Sequence, residues 1–200
     1  MPEETPPQIK RPDAPLSRRN KVIIGLATLP ACFLGALILL RLCNLIRPFS
    51  IPTGGMTPAV SPGDHILVEG FTFRFGKPHR GDIVVFRTAG IESLPQDQFY
   101  VKRIAGEPGD HVRISDGKLF INEKPVSLSN ALGEIVYDLP SAFQNSAKTD
   151  VRVPKDCYFV LGDNSTNSLD SRFWGSVPRA NIIGRVAYCY FPPQRRGRVE

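Results

Sequence analysis

The longest apolar run lies near the start of the chain. Val22 to Leu40 reads VIIGLATLPACFLGALILL, nineteen residues without a charge. As a helix rising 1.5 Å per residue it spans about 28 Å, enough for the core of a bilayer. The run exceeds the usual h-region of about 7–15 residues. RLCNLIRPF follows it, not a small-residue cleavage site, so the pattern predicts an uncleaved signal anchor. Beyond Arg47 the pattern changes to short β-rich runs: HILVEGF, IVVFR, FYVKRIA, HVRIS, KLFINEK, CYFVLG and NIIGRVAYCYF. Three of them follow a Gly-Asp pair, at Gly63-Asp64, Gly81-Asp82 and Gly109-Asp110. Asp116-Gly117 between HVRIS and KLFINEK predicts a type I′ hairpin.

This grammar predicts a mostly β fold, an antiparallel two-sheet barrel-like domain preceded by one N-terminal transmembrane helix. The expected organisation is a disordered cytoplasmic tail over 1–21, the anchor over 22–40, and an extracytoplasmic β domain over 41–200. Residues 127–150 are polar and irregular and read as a surface insertion.

Composition narrows the reading. Nineteen prolines and seventeen glycines without a period argue against a helical bundle or coiled coil. The net charge of +6 is concentrated around the apolar run: residues 1–21 carry +2, Arg41 and Arg47 add two more, and residues 48–200 hold only +2. That excess marks a membrane edge rather than a nucleic-acid groove, so no nucleic-acid partner is expected. The positive-inside rule places the N-terminus in the cytoplasm of a single-pass cell-membrane protein. Cys32, Cys43, Cys157 and Cys189 lack metal-ligand spacing and read as small buried hydrophobes. A Cys157–Cys189 disulfide stays open. Trp174, Phe71 and Phe73 are candidates for contact with lipid, although each is more often a core residue.

Three segments can carry chemistry: FSIPTGGMTP (Phe49–Pro58), YVKRIAGEPGD (Tyr100–Asp110) and GDNSTNSLDSRFWG (Gly162–Gly175). Alternation in the second puts Lys102 and Tyr100 on one face, Val101 and Arg103 on the other. A strand lysine is ordinarily an edge device; a desolvated one can serve as a general base, because burial disfavours the ammonium. The third segment is a loop rich in Asp, Asn and Ser, in which Asp170 and Arg172 can pair. The first reads as a turn, or as a loop whose N–H groups face a substrate carbonyl.

In this order, behind an N-terminal anchor, the three segments resemble the type I signal peptidases, membrane-bound serine/lysine endopeptidases that remove signal peptides from exported preproteins. Ile51 to Pro58 is similar to I-P-S-G-S-M-x-P, Lys102 to Asp110 matches K-R-x-x-G-x-P-G-D, and Gly162 to Gly175 matches G-D-N-x-x-N-S-x-D-S-R-x-W-G. The resemblance implies an all-β two-sheet fold, signal peptides and membrane lipids as partners, and no metal or organic cofactor. It implies Lys102 as general base, Ser168 as the hydroxyl that orients it, and Thr53 with the Gly55 N–H as oxyanion donors. It further implies Asp170 and Arg172 as a supporting ion pair, and Phe49, Ile51, Tyr100 and Val101 as walls for small side chains at substrate positions −1 and −3.

One position departs. Where the family carries its nucleophilic serine, this chain has Gly55. Two functions therefore follow from the sequence: hydrolysis of signal peptides, or a catalytically silent relative that binds such segments as an added strand. Thr53 or Thr57 could substitute as nucleophile only with its hydroxyl in reach of Lys102.

Overall fold

A computed structural model describes residue 30, residues 32–36, 38–39, 45–139 and 147–199. The expected anchor thus falls mostly outside the described residues. The part that is described is helical and exposed, Cys32 included, so that cysteine is not the buried hydrophobe expected. No helix among the described residues is long and apolar enough to cross a membrane.

The β domain begins at Asn44. Its strands are β1 (Ile46–Ser50), β2 (His65–Glu69), β3 (Ile83–Arg87), β4 (Phe99–Gly106), β5 (His111–Ser115), β6 (Lys118–Ile121), β7 (Lys124–Val126), β8 (Ser129–Asn130), β9 (Gly133–Glu134), β10 (Asp150–Arg152), β11 (Cys157–Leu161), β12 (Val177–Pro178), β13 (Ile182–Phe191) and β14 (Gly197–Arg198). Two single-turn helices, α1 (Thr72–Phe75) and α2 (Ser171–Trp174), interrupt them. The larger sheet runs β1-β2-β13-β3-β4-β11-β12, with β14 beside β13, and the smaller runs β10-β5-β6-β7. All pairings are antiparallel.

The expected turns form for a common reason. Gly63, Gly81 and Gly109 have φ of 86°, 93° and 91°, which a side chain would strain. In each case the next residue's carboxylate accepts the N–H three positions back: Asp64 from Ser61, Asp82 from His79 and Asp110 from Glu107. Asp116 and Gly117 both have positive φ, as the type I′ hairpin requires.

Strand β11 and the Ile104–Ala105 end of β4 are apolar on consecutive residues because both their faces are covered. Ala105, Phe159 and Leu161 pack with Val112, Leu119 and the smaller sheet. Ile104 and Val160 pack the other way, with Phe86, Tyr158 and Trp174. Trp174 is therefore a core residue; Phe73 packs against the same cluster, and Phe71 is exposed. Segment 127–150 is less superficial than its polarity implies. Leu128, Ile135 and Tyr137 are buried against the smaller sheet, and Tyr137 N–H donates to Gly117 C=O. Cys189 is buried, Cys157 is half-buried, and both are free thiols.

The expected barrel does not close. β1 and β4 have three strands between them in the sheet, yet the rings of Phe49 and Phe99 meet edge-on at 5.3 Å. The sheet therefore curls until its first strand faces its fifth, and no ladder joins them. Along β4, residues Phe99–Arg103 pair with β3, whereas β11 pairs only from Arg103 onward. The far edge of Phe99–Lys102 is left unpaired, and a cleft of about 440 Å³ lies beside it.

Candidate active site

The cleft floor is the loop after β1. Ile51 is clamped by two backbone hydrogen bonds, its N–H to Asp64 C=O and its C=O from Gly63 N–H, both 2.9 Å. Met56 and Val60 are buried and anchor the loop from below. The third motif ties it from above. Asn164 N–H donates to Gly55 C=O at 3.2 Å, and its side-chain amide donates to Gly54 C=O at 3.1 Å. Gly55 lines the cleft, and its N–H has no backbone acceptor among the described residues.

A Cβ built on Gly55 would stand 3.4 Å from Lys102 Nζ, 3.4 Å from Asn167 C=O and 3.6 Å from Ser168 Oγ. Lysine, serine and glycine, far apart in sequence, thus converge on one point. Lys102 reaches it from β4, where it pairs with Val84. Ser168 reaches it from the C-terminal end of a one-turn 3₁₀ helix, Ser165–Asn167. Both are only 7% exposed, and Ser168 Oγ is buried with no hydrogen-bond partner among the described residues. The approach of Ser168 needs glycine at 162, where any Cβ would overlap Ser168 Oγ and Cβ and stand 2.5 Å from Gly55 C=O.

Burial sets the electrostatics of Lys102. Desolvation pushes its ammonium pKa down, and Asp170 opposes this; Arg172 adds to the lowering and Asp163 works against it. A lowered pKa makes the amine a proton acceptor at a lower pH than an ordinary surface lysine.

Two buried ion pairs hold the frame. Asp170 and Arg172 are both fully buried and meet at 2.8 Å. Asp170 also accepts Gly162 N–H at 3.0 Å, while Arg172 donates to Ser165 C=O and Oγ at 2.8 and 2.9 Å and to Asp138 C=O at 3.2 Å. The second pair joins Arg103 to Asp163 through two bonds of 2.8 and 2.7 Å, with Arg103 also donating to Gly81 C=O. Sequence reading missed this pair, and the roles of Gly162 and Asn164. All four sit at fixed positions of the two motifs, which was the available signal.

The remaining expected residues also reach the cleft. Phe49, Ile51, Tyr100 and Val101 line it, with Thr53 exposed at its rim. Phe49, Ile51 and Val101 share one apolar cluster, while Tyr100 leans on Phe86 at 6.1 Å between ring centroids. The result is an apolar slot with a desolvated amine at one end. Such a slot can take small side chains and present a carbonyl to the amine.

The chain is similar to known proteins. The family described as "Signal peptidase, peptidase S26" matches residues 23–191. The chain is 38% identical to "Signal peptidase I" of Leptolyngbya laminosa over 154 residues, covering 74% of this chain and 70% of that one. It is 32% identical to "Signal peptidase I" of Pseudomonas fluorescens, over 89% of this chain and 77% of that one. It is 35% identical to "Thylakoidal processing peptidase 1, chloroplastic" of Arabidopsis thaliana, spanning 76% of this chain but only 44% of the longer relative.

Proposed function

Because the chain belongs to the signal peptidase family, we propose that it receives the signal-peptide segment of an exported preprotein as an extended strand along the free edge of β4. Backbone hydrogen bonds to Phe99–Lys102 supply the affinity, and the apolar walls at Phe49, Ile51, Tyr100 and Val101 select small side chains at −1 and −3. Residues 22–40 anchor the chain in the cell membrane, with 1–21 in the cytoplasm and the β domain outside. The charge around the apolar run supports this placement.

Within the cleft, Lys102 is the base, and the Gly55 N–H with the Thr53 hydroxyl receives the carbonyl oxygen; Ser168, expected to orient Lys102, makes no hydrogen bond to it among the described residues and keeps its hydroxyl free beside Gly55. The acyl-enzyme route through residue 55 is closed, since glycine offers no atom to bond to the carbonyl carbon. Loss of the nucleophile alone costs about 10⁶ in rate in a serine protease. Residue 55 therefore lets the cleft receive a signal peptide without offering it a covalent partner.

The supporting observation is the point at Gly55 itself. A Cβ there meets Lys102 Nζ at 3.4 Å and nothing closer, so the cleft lacks a hydroxymethyl group and little else. Preprotein cleavage by the full chain in liposomes, with Gly55→Ser beside it, tests the reading. The expected result is a gain of up to about 10⁶-fold for Gly55→Ser, with equal binding of both forms. Equal rates, or failure of the unaltered chain to bind a preprotein, would overturn it.

A further inference from the structure

The polar groups around Gly55 are arranged for a ligand smaller than a side chain. Lys102 Nζ, Asn167 C=O and Ser168 Oγ lie 3.4, 3.4 and 3.6 Å from the position of a Cβ on Gly55. Ser168 Oγ is buried and unpartnered among the described residues. A buried water is held by about three hydrogen bonds to groups that otherwise lack partners. A water in contact with the Gly55 Cα lies beyond that Cβ point, on the side of these three groups, and they offer it a bonding set: an amine lone pair and a carbonyl to accept its hydrogens, and a hydroxyl to donate to its oxygen. The fourth direction opens to the cleft, where Gly55 itself is a lining residue.

We infer that glycine at 55 makes room for a water that Lys102 activates, so that the chain hydrolyses a bound signal-peptide bond directly, in one displacement without an acyl-enzyme. This rests on the peptide-binding reading of the cleft given above. The water oxygen bonds to the scissile carbonyl carbon while Lys102 Nζ takes one of its protons. The carbonyl π pair moves onto its oxygen, held by the Gly55 N–H and the Thr53 hydroxyl. The C–N bond then breaks, the carbonyl re-forms, and the leaving nitrogen takes the proton from the Lys102 ammonium. One water is consumed; a carboxylic acid and an amine are released, and Lys102 returns neutral. Retention of a buried lysine supports the assignment. A pure binding site draws nothing from Lys102, whose ammonium burial disfavours.

Gly55→Ala is the decisive substitution, because its methyl fills the space between the Gly55 Cα and the water and crowds the water out, while meeting Lys102 Nζ and Ser168 Oγ no closer than 3.4 Å. The probe is a synthetic peptide with alanine at −1 and −3 and an apolar segment upstream. The full chain in detergent micelles is given that peptide in oxygen-18 water under single-turnover conditions, with binding followed separately by fluorescence anisotropy. The expected result for the unaltered chain is slow cleavage at one bond, one oxygen-18 in the new carboxylate, and no acylated protein on acid quench. Gly55→Ala and Lys102→Met should each lose about 10²-fold or more of that rate while binding the peptide as before. The rate should rise with pH in the unaltered chain as Lys102 loses its proton. Cleavage by Gly55→Ala at the native rate, or an acylated native protein, overturns the inference. So does binding without cleavage above the Lys102→Met level, which leaves the receptor reading intact. Failure to bind overturns both.

Discussion

Two glycines of the site answer the same substitution in opposite ways. At Gly162 an alanine methyl would overlap Ser168 Oγ and Cβ and sit 2.5 Å from Gly55 C=O. Neither neighbour can yield cheaply. Ser168 is buried at the end of a 3₁₀ turn, and the Gly55 carbonyl is held by Asn164 N–H at 3.2 Å. Gly162 N–H is itself bonded to Asp170, so the whole strand end would have to move. Overpacking of this kind costs about 1–3 kcal/mol, and the upper half applies because one neighbour is backbone. At roughly 2–4 °C per kcal/mol for a domain of this size, Gly162→Ala should lower Tm by about 4–12 °C. At Gly55 the contacts are no closer than 3.4 Å, and its φ is not among the positive values. There alanine mainly narrows the unfolded ensemble, a gain of about 0.4–1 kcal/mol. Thermal unfolding of the two variants and the native chain, followed by circular dichroism in one detergent, measures both. A Gly162→Ala protein as stable as native, or a Gly55→Ala protein destabilised as much as Gly162→Ala, would refute the packing argument.

Other outcomes follow from the buried charges and the cleft. The folded-state pKa of Lys102 is lowered, so the unfolded chain binds the extra proton between that lowered value and about 10.5. Stability from this group is therefore lowest below the folded pKa and recovers as pH rises toward the unfolded one. Lys102→Met should raise urea stability at neutral pH and lose that upward slope. Asp163→Ala should cost about 3–5 kcal/mol in urea unfolding, since it removes the two hydrogen bonds by which a buried carboxylate pairs with Arg103, whose side chain is only 4% exposed. In the Gly55→Ser background, Thr53→Val should slow cleavage by about 10²–10³-fold with little change in KM, the mark of a donor used in the transition state.

Much of the fold was readable because it is local. The Gly-Asp turns and the Asp116-Gly117 hairpin are set by φ and by a carboxylate three residues from its donor. The convergence of Gly55, Lys102 and Ser168 was readable only through the resemblance, since alternation places a lysine on a face but not opposite a partner. The curl of the larger sheet left no trace in any single strand; it is the summed twist of five strands and shows only where Phe49 meets Phe99. The Arg103–Asp163 pair was hidden for another reason. Its members are 60 residues apart, and each alone resembles a solvated charge. Tyr137 was masked by its polar neighbours Asp138 and Glu134, which stay exposed while the ring is buried.

The unclosed curl also decides what kind of polypeptide can enter. An unpaired strand edge ordinarily invites any neighbouring sheet, including that of a second copy. Here the edge of β4 looks into the cleft, and the rings of Phe49 and Phe99 bar one end. A folded protein, with its strands already paired on both sides, has nothing narrow enough to offer. An extended chain does. Under the proposed strand-addition reading, the domain would sort its callers by conformation before sequence, accepting a stretch that has not yet folded and turning away the same residues once they are built into structure.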